Sequence, residues 1–274
     1  MNIKETIDKI YKQLPTKESI YFDIEYSSDN NNDKLSIYDN KMGGLPYFPK
    51  NLEYPKDTNE NPMLLLIQFN FNTFDNIKDF PNIGILQVFI GLNDMYGYNY
   101  DNPTKQSDFK VYYHKNIENP MTKEELIKII PTIENFDLPN MDIYKLIPNT
   151  KTNMPITPHD YRFDDYFLDI YGNIVNTTIK SKFDVDDNII NELYHNVPRG
   201  IWLGGYPVFA QYDVREKSIY TKYDTSLITI DSVVNKQYNI EIMWGDCGTG
   251  TFFINNNDLK NQDFSNILYN FDCC

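Results

Sequence analysis

Three short blocks of this sequence recur in the same order, and this repeat constrains the fold more than any other feature. The block pairs are Met42–Phe48 with Leu203–Phe209, Leu64–Gln68 with Leu227–Asp231, and Gly84–Asp94 with Gly248–Asp258. Their offsets are 161, 163 and 164 residues, and the third pair shares five of its eleven residues. Ordered blocks at nearly one offset indicate a duplicated structural unit.

The first block of each copy carries two adjacent glycines and a proline. Gly43–Gly44 and Gly204–Gly205 predict a backbone with positive φ, or one that passes close to another segment. Pro46 and Pro207, each two residues after its glycine pair, favour a turn into an extended strand. We therefore expect the glycine pairs to be structural.

The repeat predicts an organisation for residues 1–274 as a single compact unit. Repeat one covers about residues 36–115 and repeat two about 198–274, with a helical and loop insertion at about 116–197. Apolar residues at helical spacing predict an N-terminal helix at about 3–14. Each copy offers strands that cannot bury both faces alone. We expect a β-rich α+β fold in which the two units pack about a pseudo-twofold axis, with a few peripheral helices.

Two further helices are predicted from their end signals. Thr122 and Glu125 form a capping box for a helix near 122–130. An acidic N-cap and Pro198 bound another near 187–196.

Composition excludes several classes of function. The net charge of −14 argues against nucleic acid and anionic membranes as partners, because both would be repelled. No secretory signal and no run of about 18 apolar residues is evident. The three cysteines do not form a disulfide framework. These features predict a cytoplasmic protein.

Several blocks together resemble the YwqG-like family of bacterial proteins of unknown function. They are GGLPYFPKN, EYP, NPMLLLIQFNF, GILQVFI, GGYPVFAQYDVR, EIMWGDCGTGTFFI and LYNFDCC, and they span most of the chain. The resemblance implies a duplicated, β-rich α+β protein. It implies no reaction, cofactor or catalytic residue, although a partner-binding or immunity-type role is associated with some relatives.

One motif has the form of a nucleophile loop. Cys247 lies in the run Gly245–Gly248, GDCG, which is similar to loops whose glycines turn backbone N–H groups towards an oxyanion. A cysteine nucleophile needs a base, and His114, His159 and His195 are the only histidines. The simpler interpretation is a tight turn leading into a strand.

Four residues of the second copy are candidates for ligand binding. Trp202 and Trp244 could form an aromatic wall, with Arg215 and Asp246 as polar groups that orient a ligand. The alternatives are that both tryptophans belong to the core, and that Arg215 is a buried partner of an acid such as Asp231 or Asp246.

Metal binding is not predicted. The oxygen-rich segments 184–188 and 93–102 are more simply a helix cap and an exposed polar loop. No catalytic set is complete, and no cofactor motif occurs. We therefore predict a non-catalytic protein that binds an unknown protein or small molecule. A hydrolase or transferase using Cys247 is the alternative, and a purely structural role is the third.

Overall fold

The fold is described from a computed structural model, which covers residues 2–29, 33–130, 138–140, 142–217 and 219–273. The strands are β1 (Thr16–Asp29), β2 (Lys41–Met42), β3 (Leu64–Asn70), β4 (Ile85–Ile90), β5 (Phe109–His114), β6 (Asp142–Pro148), β7 (Thr152–Pro155), β8 (Ile201–Gly204), β9 (Thr225–Asp231), β10 (Val233–Asn235), β11 (Ile240–Ile242), β12 (Thr249–Ile254) and β13 (Ile267–Asp272). The helices are α1 (Ile3–Tyr11), α2 (Lys123–Ile127), α3 (Phe163–Val175), α4 (Asp187–His195) and α5 (Asn256–Lys260). The predicted β-rich α+β class is confirmed.

One antiparallel sheet contains eleven of the described strands. Its order is β13-β12-β9-β8-β1-β6-β2-β3-β4-β5, and β7 pairs with the start of β1. The sheet curls until its two end strands approach each other. The rings of Phe109 on β5 and Tyr269 on β13 lie 5.2 Å apart, and Tyr269 donates its backbone N–H to the Pro103 carbonyl at 3.0 Å. The result is close to a closed barrel, with the main apolar core inside.

Side chains alternate between the inside of the sheet and its outer face, as strand geometry requires. On β4, Leu86, Val88 and Ile90 belong to the inner core. Phe89 points outward and packs on Phe48, with ring centroids 6.1 Å apart. Every residue of β4 is buried, because loops cover the outer face as well.

The two halves of the sheet share several features. On each side of the central β1–β6 pair, four strands follow in chain order. The pairing of β3 with β4 skips Leu66, and that of β9 with β12 skips Leu227, at positions 161 residues apart. On the outer face Phe209 packs on Phe253 of β12, as Phe48 does on β4. The duplication, its pseudo-twofold axis and the boundaries of the repeats stay predictions, which these parallels support.

The ladders correct the alignment of the second block. Met42 pairs with Ile67, and Leu203 pairs with Ile228. The second block then has an offset of 161, equal to that of the first, rather than 163. A slip of two residues leaves the same side chains on each face of a strand. The hydrophobic pattern therefore could not detect the error.

All four paired glycines have positive φ, between 71° and 75°. A Cβ on Gly44 would lie 2.5 Å from Oδ2 of Asp33, and one on Gly204 would lie 2.8 Å from the carbonyl oxygen of Glu18. Both requirements, conformation and space, select glycine here.

A helical layer covers part of the outer face. Helices α1, α3 and α4 share an apolar cluster with Met154 of β7 and with Trp202 of β8. Helix α1 ends at Tyr11 rather than near residue 14, and α2 is shorter than predicted but has the full capping box. The segment predicted as helix and loop, 116–197, also contains β6 and β7, which pair with β1. No helix in the described ranges is both long and apolar enough to cross a bilayer.

Candidate functional site

A cleft of about 210 Å³ lies where loop 95–103 of the first half meets segment 211–220 and the end of β13. We call it the tyrosine cleft. Its lining is Met95, Tyr98, Tyr100, Pro103, Gln211, Tyr212, Val214, Lys217, Tyr220, Asn270, Phe271, Asp272 and Cys273. Both predicted repeats contribute side chains, so the cleft exists only in the folded chain. The sequence had predicted 93–102 as an exposed polar loop.

Backbone contacts fix the first wall of the cleft. Oδ1 of Asn93 accepts hydrogen bonds from the N–H groups of Met95 and Gly97, at 3.1 and 2.9 Å. Gly97 has a φ of 77°, and a Cβ there would overlap the carbonyl of Asp108. The loop is thus folded back against the start of β5.

An ion-pair network fixes the second wall. Asp213 caps the 3₁₀-helix Val214–Glu216 and accepts two side-chain hydrogen bonds from Arg215, at 2.9 and 2.6 Å. Arg215 also donates to Asp160 at 2.9 Å, and its side chain is fully buried. The guanidinium lies 4.3 Å from the ring centre of Phe253. This network anchors the segment that contributes five residues to the lining of the cleft: Gln211, Tyr212, Val214, Lys217 and Tyr220.

The charges in the tyrosine cleft favour a cation. Burial, the largest cause, and the neighbouring phenols of Tyr100, Tyr220 and Tyr212 and the carboxyl of Asp272 together raise the pKa of Tyr98 to about 12. The carboxylate of Asp272 and the faces of the tyrosine rings favour a cation over an anion in the cleft. Lys217 is the one cation in the lining.

Asp272 lies under the cleft without a cationic partner. Its Oδ2 accepts the N–H of Gln211 at 2.8 Å, whereas its Oδ1 and Nδ2 of Asn270 have no hydrogen-bond partner among the described residues. Burial raises the pKa of Asp272, and the charge of Asp231 adds to this. No ion pair of Asp272 is found in the described ranges. Its charge is therefore available to a cation that enters the cleft.

The four ligand-binding candidates from the sequence lie in different surroundings. Trp244 is in the core, 5.7 Å from Phe271, and so lies directly behind the tyrosine cleft. Arg215 lies beneath the second wall. Trp202 is on the outer face of β8, and Asp246 is exposed in the turn after Trp244. Within the described part of the chain, no hydrogen bond, ion pair or ring contact is found between any two of these four residues, and their role in binding stays a prediction.

Cys247 is exposed at the tip of the turn Gly245–Gly248 and has a φ of 63°. The turn closes through the Gly248 N–H, which donates to the Trp244 carbonyl at 2.8 Å. A second contact holds it to the first half, where the Tyr96 hydroxyl accepts from Gly245 N–H at 3.2 Å.

The three imidazoles have partners elsewhere in the fold. His114 hydrogen-bonds a glutamine of β4, His159 accepts a backbone N–H, and His195 donates to a carbonyl within α4. Burial lowers the pKa of His114 and of His159 to about 4. Within the described residues, no hydrogen bond joins an imidazole to Cys247.

Other candidate sites can be located. Asp186 caps α4, where its carboxylate accepts the N–H of Asn188 at 2.9 Å. Among the residues that the structure describes, no group of three or more His, Cys, Asp and Glu side chains is placed to hold a metal ion. Cys273 lines the tyrosine cleft, and Cys274 lies outside the described residues.

The fold thus defines a β-rich α+β protein whose curled sheet carries a tyrosine-lined cleft. A family model described as "Domain of unknown function (DUF1963)" matches residues 40–273. The chain belongs to this family. No curated protein matches it.

Proposed function

We propose that this is a non-catalytic binding protein whose tyrosine cleft receives an arginine side chain of a protein partner. The observation that carries the proposal is the set of tyrosine rings gathered above Asp272, a carboxyl that pairs with no cation among the described residues. Aromatic faces attract guanidinium groups through the ring quadrupole. The net charge of −14 favours encounter with a basic partner.

The size and exposure of the cleft support a side chain as the ligand. Its volume of about 210 Å³ is below the roughly 300–1,000 Å³ of sites for drug-sized ligands. Tyr100 and Tyr212 are 78% and 55% exposed, and Met95 is also exposed. Exposed tyrosine and methionine around a small pocket are typical of the centre of a protein interface, where arginine is also enriched.

Peptide titration tests this function. The capped peptide acetyl-Gly-Arg-Gly-amide is compared by calorimetry with the same peptide carrying citrulline, which has nearly the same shape but no charge. We expect only the arginine peptide to bind. Equal binding of both peptides, or no binding of either, contradicts the proposal.

Variants of the chain test whether the arginine peptide binds in the tyrosine cleft. Tyr100→Ala with Tyr212→Ala removes two rings and should weaken binding roughly tenfold, since each cation–π contact contributes about 0.5–2 kcal/mol. Tyr238→Ala is the matched control, because Tyr238 is 62% exposed and does not line the cleft. Lys217→Gln removes the competing cation and should strengthen binding. Equal loss in the control variant would exclude the cleft as the site.

We also infer that the chain is a YwqG-like bacterial protein that acts in the cytoplasm, with a partner-binding or immunity-type role. The sequence blocks quoted above support membership of the YwqG-like family. The three cysteines, which form no disulfide framework, support the cytoplasm, because reducing compartments disfavour disulfides.

A second candidate function is a cysteine-dependent hydrolase or transferase. The exposure of Cys247 between glycines favours it. Selective alkylation of Cys247 at neutral pH, with Cys273 unmodified, would support this function. Equal rates at both cysteines would count against it.

A further inference from the structure

A second cleft, of about 520 Å³, lies beside the glycine pair Gly204–Gly205. We call it the Lys17 cleft, because Lys17 at the start of β1 and Arg162 at the start of α3 line it, together with Lys78. We propose that this cleft binds a small organic oxyanion, a carboxylate or a phosphate ester, through the Lys17 ammonium and the exposed edge of the Arg162 guanidinium.

Lys17 has unused hydrogen-bond donors. Its Nζ donates to the backbone carbonyl of Asp224 at 3.0 Å and lies 5.4 Å from the ring centre of Tyr206. No carboxylate of a described residue lies within 4.0 Å of it, and an ammonium has three donors. A largely buried lysine without a carboxylate partner holds its proton less readily, and an anion bound beside it would stabilise the charged form.

One edge of the Arg162 guanidinium is paired with a carboxylate, and the other edge can still donate to a ligand. It forms a two-pronged pair with Asp160, with hydrogen bonds of 2.7 and 2.6 Å. Its Nη1 reaches only the Asp224 carbonyl, at 3.4 Å, and 23% of the side chain is exposed. That edge of the guanidinium faces the same carbonyl as Lys17, so one oxyanion can approach both groups.

The ion network below the cleft joins arginines and carboxylates. Asp160 is shared by Arg162 and Arg215, and Asp213 is the second carboxylate that pairs with Arg215. The carboxylate of Asp224 also lines the cleft and accepts from Thr225 Oγ1 and the Asn256 N–H. With Lys17, three cations thus face three carboxylates, and none of these carboxylates lies within 4.0 Å of the Lys17 ammonium.

The other acids that line the cleft have their own partners. Glu18 pairs with Lys151 at 3.2 Å, and Asp79 pairs with Lys260 at 3.7 Å. Lys78 has no described carboxylate within 4.0 Å of its ammonium. With Lys78, the charged groups around the cleft carry one net positive charge in a chain whose net charge is −14, and this local balance favours an anion.

The protonation of Lys17 makes the affinity depend on pH. Burial, the largest cause, and the charges of Arg162 and Arg215 lower the pKa of Lys17 to about 8, against the opposing charges of Asp160 and Asp224. A bound oxyanion stabilises the ammonium, so binding takes up a proton. Between pH 7 and 9 the protonated fraction of free Lys17 falls from about 0.9 to 0.1, and affinity should fall roughly tenfold.

Titration of the full chain with glycerol 3-phosphate and with succinate tests the proposal and distinguishes phosphate from carboxylate. We expect one of them to bind, with weaker binding at pH 9 than at pH 7. Lys17→Met should weaken binding about tenfold or more, since it removes a charged hydrogen-bond donor from the site. Lys17→Arg should bind at both pH values, because arginine does not titrate there.

Lys236 is exposed, and Lys236→Met is the matched control. This variant should bind the same ligand as tightly as the wild type does. If Lys17→Met does not fold, the lost pH dependence in Lys17→Arg still tests the assignment. Failure of both ligands to bind at 10 mM would overturn the proposal, as would a Lys17→Met variant with unchanged affinity. Neither result would bear on arginine binding in the tyrosine cleft.

Discussion

Replacement of the buried Arg215 tests the ion network that supports both clefts. Arg215→Met keeps most of the side-chain volume but removes four side-chain hydrogen bonds, two to Asp213, one to Asp160 and one to the Tyr223 carbonyl. The two carboxylates would lose this partner inside the protein. Removing one member of a buried ion pair typically costs about 3–5 kcal/mol of unfolding free energy. Urea unfolding monitored by tryptophan fluorescence measures the change.

The pH dependence of this loss follows from Asp160. Burial raises its pKa, but the hydrogen bonds and charges of Arg162 and Arg215 outweigh burial and hold it below its usual value. A carboxyl with a lowered folded-state pKa stabilises the fold above its unfolded value of about 4, and this stabilisation is lost as the pH falls. The difference between wild type and Arg215→Met should therefore shrink in acid.

Arg199→Met is the control within the same chain. Arg199 is 54% exposed and makes one ion pair, at 3.3 Å to the buried Asp231, so its loss should cost less than that of the fully buried Arg215 with its two carboxylate partners. A loss in Arg215→Met no larger than in Arg199→Met would refute the structural role assigned to Arg215.

Three further predictions concern stability. Gly44→Ala should lower the unfolding free energy by about 1–3 kcal/mol in urea, because its φ is 72° and the new Cβ would lie 2.5 Å from Asp33; an unchanged midpoint would count against this. Gly250→Ala should cost about 1–3 kcal/mol, since the Cβ would overlap the ring of Trp244 in the core, and a thermal melt equal to that of wild type would contradict the packing. Burial lowers the pKa of His114 to about 4, so the unfolded chain takes up this proton at a higher pH than the folded chain does. The free energy of unfolding should therefore fall as the pH falls from about 6.5 towards 4. His114→Gln should make this pH dependence weaker, and an unchanged pH dependence would show that His114 does not cause it.

Local signals predicted much of the fold. The repeated blocks located β3, β4, β9 and β12, and the Thr122–Glu125 capping box located α2, because both depend on neighbouring residues. Strand β1 was not predicted from the sequence. Its Ile20, Phe22 and Ile24 stand at alternate positions, which is the pattern of a half-buried strand. The position of β1 between the two halves depends on pairing with distant strands.

The candidate site was less accessible to sequence reasoning. Arg215 is buried as one of the alternatives predicted, but it pairs with Asp213 and Asp160 rather than with Asp231 or Asp246. Asp213 was within reach of local reasoning, because it caps the short helix that begins at the next residue. The pairing with Asp160, and the meeting of the two tyrosine segments, depend on tertiary packing that no local pattern encodes.

The most direct test of the central claim is a crystal structure of the protein with the capped arginine peptide. Arginine binding in the tyrosine cleft predicts the guanidinium within about 6 Å of a ring centre, between loop 95–103 and segment 211–220. Asp272 should be the nearest carboxylate. An empty tyrosine cleft with the peptide bound elsewhere on the molecule would contradict the claim.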